Sequence, residues 1–217
     1  MKIALAQLNL CVGDIAGNTA RIVETIARAR DEAKASLVVF PELAITGYPP
    51  EDLLFRPGLH QRVEHALGEI ERATHGIAVV VGHPERDDGI VFNSASHIVD
   101  GATRAVYRKQ RLPNYEVFDE KRYFRAGTMP CVIDVGGFAL GLSICEDIWD
   151  PSTAVAARDA GAEVIVNLNA SPYSHHKRAA RLRALGTAVG AAGGPPPFST
   201  PARGRGEIGF DGAAPPV

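Results

Sequence analysis

Short apolar runs alternate with stretches of helical spacing along most of the chain. The alternating run KIALAQLNL predicts a first strand, and apolar residues at intervals of three or four predict helices that begin near Asn18 and cover about 59–73 and 152–160. Continuous apolar runs predict strands that are buried on both faces, namely SLVVFPE, IAVVVG and AEVIVNLNAS. This alternation predicts a layered α/β protein with helices outside its sheets.

Two further stretches predict β-hairpins. FNSASHIVDGATRAVYRK carries the tight-turn pair Asp100-Gly101 between alternating runs, and CVIDVGGFALGLSIC turns at Gly136-Gly137. The last part of the chain is rich in Gly, Ala and Pro and has almost no apolar period. Proline lacks the N–H that a strand ladder needs, so Pro195 to Pro197 are not expected to form a central strand.

The composition indicates a globular protein and limits the classes of partner that we expect. The chain has 217 residues, of which 46% are hydrophobic and 22% charged, with a formal net charge of −2. This balance gives no electrostatic reason to expect nucleic acid or an anionic membrane as a partner. The N-terminal apolar run meets Asp14 after a few residues, which is too short for a membrane span.

The cysteines Cys11, Cys131 and Cys145 are odd in number and widely spaced, without a CxxC pair. This usage predicts neither a disulfide framework nor a metal site, and it favours a reduced, cytoplasmic location. A lone cysteine in an apolar strand is usually a core residue, because free cysteine behaves as a small hydrophobe. We accept that interpretation for Cys11 and Cys131.

Cys145 differs because two other reactive side chains occupy equivalent positions. Glu42 follows LVVFP, Lys109 follows RAVYR and Cys145 follows ALGLSI, so each lies where a predicted strand ends. Strand ends commonly form ligand sites in α/β sheets. A base to activate the thiol, a cation for the oxyanion and a nucleophile together suit attack on an amide. Taken singly, each residue would be interpreted as core or solvated surface.

Four long motifs resemble the carbon-nitrogen hydrolase (nitrilase) superfamily and, more narrowly, the glutaminase domain of glutamine-dependent NAD⁺ synthetases. They are FPELAITGYPPEDLL, YRKQRLPNYEVFDEKRYF, SICEDIWDP and NLNASPYSHHK, in the same order as in that family. The resemblance runs from Met1 to about Leu185. It implies a four-layer αββα sandwich and hydrolysis of L-glutamine through a cysteine thioester.

The resemblance also implies roles for individual residues. Glu42 would be the general base, Lys109 the lysine that stabilises the oxyanion, and Cys145 the nucleophile. Glu120 would be the second glutamate that supports the triad, with Glu116 as its competitor.

A second set of residues matches positions that surround the substrate in this family. Tyr115, Ser171 and Lys177 would hold glutamine. Glu146 would lie against the substrate, with its backbone N–H beside the oxyanion.

The sequence also departs from the family. No Ser-Gly-Gly motif of the ATP-dependent synthetase domain occurs in these residues, so the ATP and Mg²⁺ of that step are expected to belong to an absent part, and the glutaminase step itself is expected to need no cofactor. We therefore divide the chain into a hydrolase domain at 1–185 and an atypical Gly/Pro-rich part of the same domain at 186–217. Whether the sheet is incomplete at this C-terminal edge stays open. The resemblance implies a homo-oligomer.

Two alternatives remain from the sequence. The first is a stand-alone nitrilase-type amidase that acts on another small amide. The second is a non-catalytic interaction subunit that retains the triad on a defective fold. The motifs GYPPEDLL and LPNYEVFDEKRYF favour the glutaminase of the synthetase type over the amidase, and a folded core with an open edge would favour the interaction subunit.

Overall fold

The fold is known from a computed structural model, which describes residues 1–115 and 118–170 and the backbone of two short strands at 198–200 and 203–204. In chain order the strands are β1 (Ile3–Leu5), β2 (Asn9–Leu10), β3 (Leu37–Val39), β4 (Ala78–Asp87), β5 (Ile90–Val99), β6 (Ala102–Arg108), β7 (Val132–Val135), β8 (Phe138–Ile144), β9 (Val164–Leu168), β10 (Phe198–Thr200) and β11 (Arg203–Gly204). The described α-helices are α1 (Ile15–Asp31), α2 (Pro57–Ala73) and α3 (Pro151–Asp159). Short 3₁₀ helices cover Glu51–Phe55, Glu120–Arg122 and Cys145–Trp149.

The strands form two main sheets. The first has the order β1-β3-β4-β5-β6, in which β1, β3 and β4 are parallel and β5 and β6 continue as antiparallel hairpins. The second has the order β10-β9-β8-β7, in which only the β7–β8 pair is antiparallel. The short strand β2 pairs separately with β11.

Side chains alternate between two apolar layers along the central strands. Val38 and Val79 pack with α1 and α2 on the outer face of the first sheet. Leu37, Val39 and Val80 face the second sheet, where they meet side chains of β7, β8 and β9. Alternation of this kind buries both faces of a strand, which accounts for the continuous apolar runs in the sequence.

The outer face of the second sheet carries α3. Ala154 of α3 packs with Ile148 and with Ile165 of β9. Helices therefore cover the outside of both sheets, and the predicted αββα sandwich is confirmed.

The first helix begins earlier than the sequence predicted. Asp14 is the N-cap, and its carboxylate accepts a hydrogen bond from the Gly17 N–H at 3.0 Å. Asn18 is instead buried inside the helix, where its amide bonds to both backbone groups of Cys11 and to the Ile45 carbonyl. Asp14 was the better cap because it is followed by the first apolar residue of the buried stripe, Ile15.

Both predicted hairpins are present, and the structure contains a third. Asp100 and Gly101 both have positive φ at the β5–β6 turn, as Gly136 and Gly137 do at the β7–β8 turn. The β4–β5 hairpin turns at Asp88-Gly89, with φ of 46° and 79°, and was not predicted. The Asp-Gly pair there was an available signal.

The C-terminal edge of the second sheet carries a strand. Phe198–Thr200 (β10) pairs in parallel with Val166–Leu168 of β9. This strand begins directly after the run Pro195 to Pro197, which lies outside the described residues.

Candidate active site

Two carboxylates and one ammonium group meet in the protein interior. Lys109 follows β6 directly, and its Nζ donates to Glu42 Oε1 at 2.7 Å and to Glu120 Oε1 and Oε2 at 2.9 and 2.8 Å. Glu42 follows the end of β3, and Glu120 begins a 3₁₀ helix. The side chains of Glu42 and Lys109 are fully buried and that of Glu120 is nearly so. The structure thus brings together three of the four residues that were predicted to be catalytic.

The fourth, Cys145, begins the turn after β8 in the second sheet. It is 4% exposed and has a φ of +45°, which is uncommon for a residue with a side chain. Its charge would raise the pKa of both Lys109 and Tyr48, so the thiol lies within electrostatic range of this cluster. Backbone conformations of this kind concentrate at functional sites.

The cluster contains two carboxylates but one ammonium group, and this imbalance of charge shifts the pKa values of Lys109 and Glu120. Burial lowers the pKa of Lys109, but Glu120 and Glu42 more than offset this, so its pKa lies well above the ordinary value and the ammonium form persists. Burial raises the pKa of Glu120, and the charge of Glu42 adds to the rise, while Lys109 opposes it. One cation between two buried carboxylates therefore leaves Glu120 more easily protonated than a surface glutamate.

Glu42 is held by two groups besides Lys109. The Asn93 side chain on β5 donates from Nδ2 to Glu42 Oε1 at 2.8 Å, and the Ala170 N–H donates to Oε2 at 3.2 Å. Asn93 was not predicted from the sequence. The sequence carried no distinct signal for it, because the strand IVFNSASHIV also contains two serines and a histidine.

A glycine on β4 lets the chain segment around Glu42 approach the sheet. A Cβ at Gly82 would lie 2.5 Å from the Leu43 nitrogen and 2.5 Å from the Pro41 oxygen. Since real Cβ atoms do not come this close to backbone, only glycine fits here without displacing the loop. The position of the Glu42 carboxylate thus depends on a residue that has no side chain.

Tyr48 is a second residue of the site that was not predicted from the sequence. Its hydroxyl donates to Glu120 Oε1 at 3.1 Å. Burial raises the pKa of Tyr48 well above the usual value, and the charge of Glu120 raises it further, so the phenol remains a hydrogen-bond donor. Tyr48 lies in the motif GYPPEDLL, which resembles the synthetase family but gave no role for this tyrosine.

The predicted substrate-binding residues fall into two groups. The Tyr115 hydroxyl donates to Glu146 Oε1 at 2.8 Å, and both residues line a cleft of about 750 Å³, together with Trp149. Ser171 and Lys177 lie outside the described residues.

Glu116, the competitor of Glu120, also lies outside the described residues.

The described residues contain neither a cluster suited to a metal ion nor a helix suited to a membrane. No group of three or more His, Cys, Asp or Glu side chains there is arranged to hold a metal ion. No helix within the described ranges combines the length and the apolar character that a membrane crossing needs.

Comparisons with known proteins found relatives and solved structures that are similar to this chain. The chain is 45% identical over 216 residues to a glutamine-dependent NAD⁺ synthetase of Xanthomonas campestris, covering 99% of this chain and 39% of that protein. The solved structure of a glutamine-dependent NAD⁺ synthetase from Acinetobacter baumannii, in complex with ADP, has a TM-score of 0.91 and 34% identity, with 98% of this chain and 40% of that one covered. The chain thus spans about 40% of the length of these relatives.

A shorter protein has a similar fold. An amidase of the nitrilase superfamily from Nesterenkonia was solved with acrylamide added at its active-site cysteine, and it has a TM-score of 0.86, 27% identity and coverage of 99% of this chain and 84% of that one. The sequence also matches the carbon-nitrogen hydrolase family over residues 2–206. The chain therefore belongs to the carbon-nitrogen hydrolase family.

Proposed function

We propose that this chain is the glutaminase part of a glutamine-dependent NAD⁺ synthetase and that it releases ammonia from L-glutamine. The observation that carries the proposal is the buried arrangement of Glu42, Lys109 and Glu120 beside the thiol of Cys145. The identity of 45% to a protein of that activity supports the choice of substrate.

The first step is formation of a thioester. Glu42 takes the proton of the Cys145 thiol, and the thiolate attacks the carboxamide carbon of glutamine. The developing oxyanion is stabilised by the Lys109 ammonium group and by the backbone N–H of Glu146. Lys109 suits this role because its charge persists and its position is fixed by two carboxylates.

The second step regenerates the enzyme. The tetrahedral intermediate collapses as Glu42 returns the proton to the leaving nitrogen, and ammonia departs. Glu42 then deprotonates a water molecule, which attacks the thioester carbonyl. The bond to the Cys145 sulfur breaks, glutamate is released, and Glu42 returns the proton to the sulfur. Glu120 is the supporting glutamate: it holds Lys109 through both of its oxygens and does not touch the reacting atoms.

The substrate would enter from the cleft beside Tyr115 and Glu146. A carboxylate that accepts from a phenol offers its second oxygen to a cationic group, which suits the α-ammonium group of an amino acid. We assign Ser171 and Lys177 to the same substrate on the strength of their motif alone.

The partners of the reaction are part of the proposal. The glutaminase step uses no cofactor, whereas ATP and Mg²⁺ would serve a synthetase domain that receives the ammonia. We propose that residues 1–185 form the hydrolase domain and that residues 186–217 are an atypical part of the same domain. We further propose that the protein is cytoplasmic and forms a homo-oligomer. Light scattering on the purified chain measures the number of subunits.

A stand-alone amidase is the second candidate. It is favoured by the Nesterenkonia amidase, of which this chain covers 84%, compared with 40% of the Acinetobacter synthetase. The amidase is less similar in sequence, at 27% against 34% identity. A non-catalytic subunit is the third candidate, and it predicts an unreactive Cys145.

Substrate competition separates these candidates. We expect kcat/KM for ammonia release to be at least about 100-fold higher with L-glutamine than with propionamide, because the small amide lacks the groups that Tyr115 and Glu146 would bind. A preference for propionamide would move the assignment to the amidase. Lack of reaction with either amide, together with an inert Cys145, would leave the non-catalytic subunit.

A further inference from the structure

A buried carboxylate next to the cluster has no place in the mechanism above. Asp147 lies two residues after Cys145 in the same 3₁₀ turn and is completely buried. Its carboxylate accepts four hydrogen bonds, each of 3.0 Å or less. A buried carboxylate with this many donors is a strong constraint on the groups that surround it.

The four donors belong to two chain segments. Oδ1 accepts from the backbone N–H groups of Gln110 and Arg111, at 3.0 and 2.7 Å. Oδ2 accepts from the Ile144 N–H at 2.9 Å and from the Tyr107 hydroxyl at 2.8 Å. Every donor therefore lies within two residues of either Lys109 or Cys145.

These two segments belong to different sheets. Lys109 directly follows β6 in the first sheet, whereas Cys145 directly follows β8 in the second. The facing sides of the sheets meet through apolar side chains, and apolar packing is not directional. Hydrogen bonds are directional, so a carboxylate bonded to both segments can fix where the ammonium group lies relative to the sulfur.

We propose that Asp147 is a positioning residue, which clamps the segment carrying Lys109 to the segment carrying Cys145 and so sets the geometry of thiol attack and oxyanion stabilisation. The inference rests on the proposed function, since it assigns those two residues their roles. Displacing a catalytic group by about 1 Å can slow a reaction about 100-fold. Asp147 itself transfers no proton in this account.

Asp147→Asn tests the clamp with little change in volume. An amide offers one oxygen and one NH₂ group, so in either orientation the NH₂ group confronts at least one backbone N–H. The protein is expected to remain folded, because Arg111 also joins the two segments through an ion pair with Asp150 at 2.8 Å and a hydrogen bond to Ser152 at 2.9 Å.

A matched control removes buried hydrogen bonds elsewhere. Thr74 is fully buried at the end of α2, where its hydroxyl donates to the Glu71 carbonyl at 2.8 Å and accepts from the Gly101 N–H at 2.9 Å. This position lies where β5 ends and β6 begins, at the opposite end of β6 from Lys109. Thr74→Val should therefore lower stability and leave the site in place.

The readout is covalent labelling of Cys145 by the glutamine analogue 6-diazo-5-oxo-L-norleucine, followed by mass spectrometry. We expect Asp147→Asn to lower the maximal inactivation rate about 10- to 100-fold with the half-saturating concentration within about threefold of wild type. Thr74→Val should change neither the maximal inactivation rate nor the half-saturating concentration. A wild-type inactivation rate in Asp147→Asn, or an equal fall in Thr74→Val, would overturn the proposal.

A less disruptive substitution tests the clamp if Asp147→Asn does not fold. Tyr107→Phe removes one donor and leaves the three backbone N–H groups, so a fall of about two- to fivefold in the inactivation rate is expected. An unchanged rate in Tyr107→Phe would then overturn the clamp.

Failure of the proposed function gives a different result. A wild-type chain that never labels at Cys145 contradicts the glutaminase proposal. Hydrogen exchange then still decides whether the clamp exists, because the amides of Gln110, Arg111 and Ile144 should exchange faster in either variant. Equal exchange rates in wild type and variants would overturn it.

Discussion

Replacing Lys109 by methionine tests the electrostatics of the site through stability. Methionine is close to lysine in length and shape but has no charge. The substitution removes the contacts of 2.7, 2.9 and 2.8 Å from Lys109 to Glu42 and Glu120 and leaves two buried carboxylates facing each other. Breaking a buried ion pair by removing one partner typically costs about 3–5 kcal/mol. At pH 8 we therefore expect the free energy of unfolding to fall by about 4 kcal/mol and Tm to fall by about 8–16 °C.

The loss should depend on pH with a definite sign. Without the cation, nothing opposes the rise that burial and the charge of Glu42 cause in the pKa of Glu120, so the folded variant binds a proton that the unfolded chain has released. Its stability then falls as the pH rises from the unfolded pKa toward the folded one. At pH 5 the Glu120 carboxyl of the variant is protonated in the folded state, and we expect the loss to shrink to about 2 kcal/mol.

Urea unfolding of wild type and Lys109→Met at pH 5, 6, 7 and 8 measures this difference. The double variant Lys109→Met/Glu120→Gln is the control, because it removes one of the two carboxylates and should lose most of the extra pH dependence. A loss below about 1 kcal/mol at pH 8, or an equal loss at pH 5 and pH 8, would refute the reasoning.

Three further substitutions test how the cluster is held, each by ammonia release from glutamine. Gly82→Ala should lower kcat/KM at least about 10-fold, because its Cβ would displace the backbone around Glu42. Gly58→Ala is the control and should leave kcat/KM unchanged, because Gly58 has open space around it. Equal effects of the two substitutions would contradict this role of Gly82. Asn93→Ala should lower kcat about 10-fold by removing a hydrogen bond of 2.8 Å to Glu42, and an unchanged kcat would exclude that role. Tyr48→Phe should lower kcat only a few-fold, since it removes one longer bond of 3.1 Å and leaves the others; a loss above about 100-fold would show that Tyr48 does more than support Glu120.

Local sequence signals predicted the parts of the fold that depend on neighbours in the chain. The apolar runs of β3 and β4 indicated strands buried on both faces, and the pairs at Asp100 and Gly136 marked turns. The start of α1 was placed wrongly because Asp14 and Asn18 both suit an N-cap. Only the tertiary contacts of Asn18 with Cys11 and Ile45 show that it is a buried link between loops.

The candidate site was predictable where its residues follow strands and lie in long motifs. Glu42, Lys109 and Cys145 could be found in this way, and Glu120 could be named but not separated from Glu116. The structure places Glu120 against Lys109 at 2.8 Å.

Contacts between elements distant in the chain could not be predicted. Asn93 reaches Glu42 across 51 positions, and Asp147 reaches the Tyr107 hydroxyl across 40. Such contacts depend on strand register and on how the two sheets face each other, which no local pattern of residues specifies. Gly82 could not be recognised either, because its importance comes from the backbone that lies against it.

The central claim is that Cys145 attacks the carboxamide of glutamine. Its most direct test is ammonia release from L-glutamine by the purified chain beside Cys145→Ala, with mass spectrometry of the cysteines after treatment with 6-diazo-5-oxo-L-norleucine. We expect that the wild type releases ammonia, that the variant does not, and that Cys145 is labelled faster than Cys11 or Cys131. Equal ammonia release by the two proteins, or labelling of Cys145 no faster than of the other two cysteines, would contradict it.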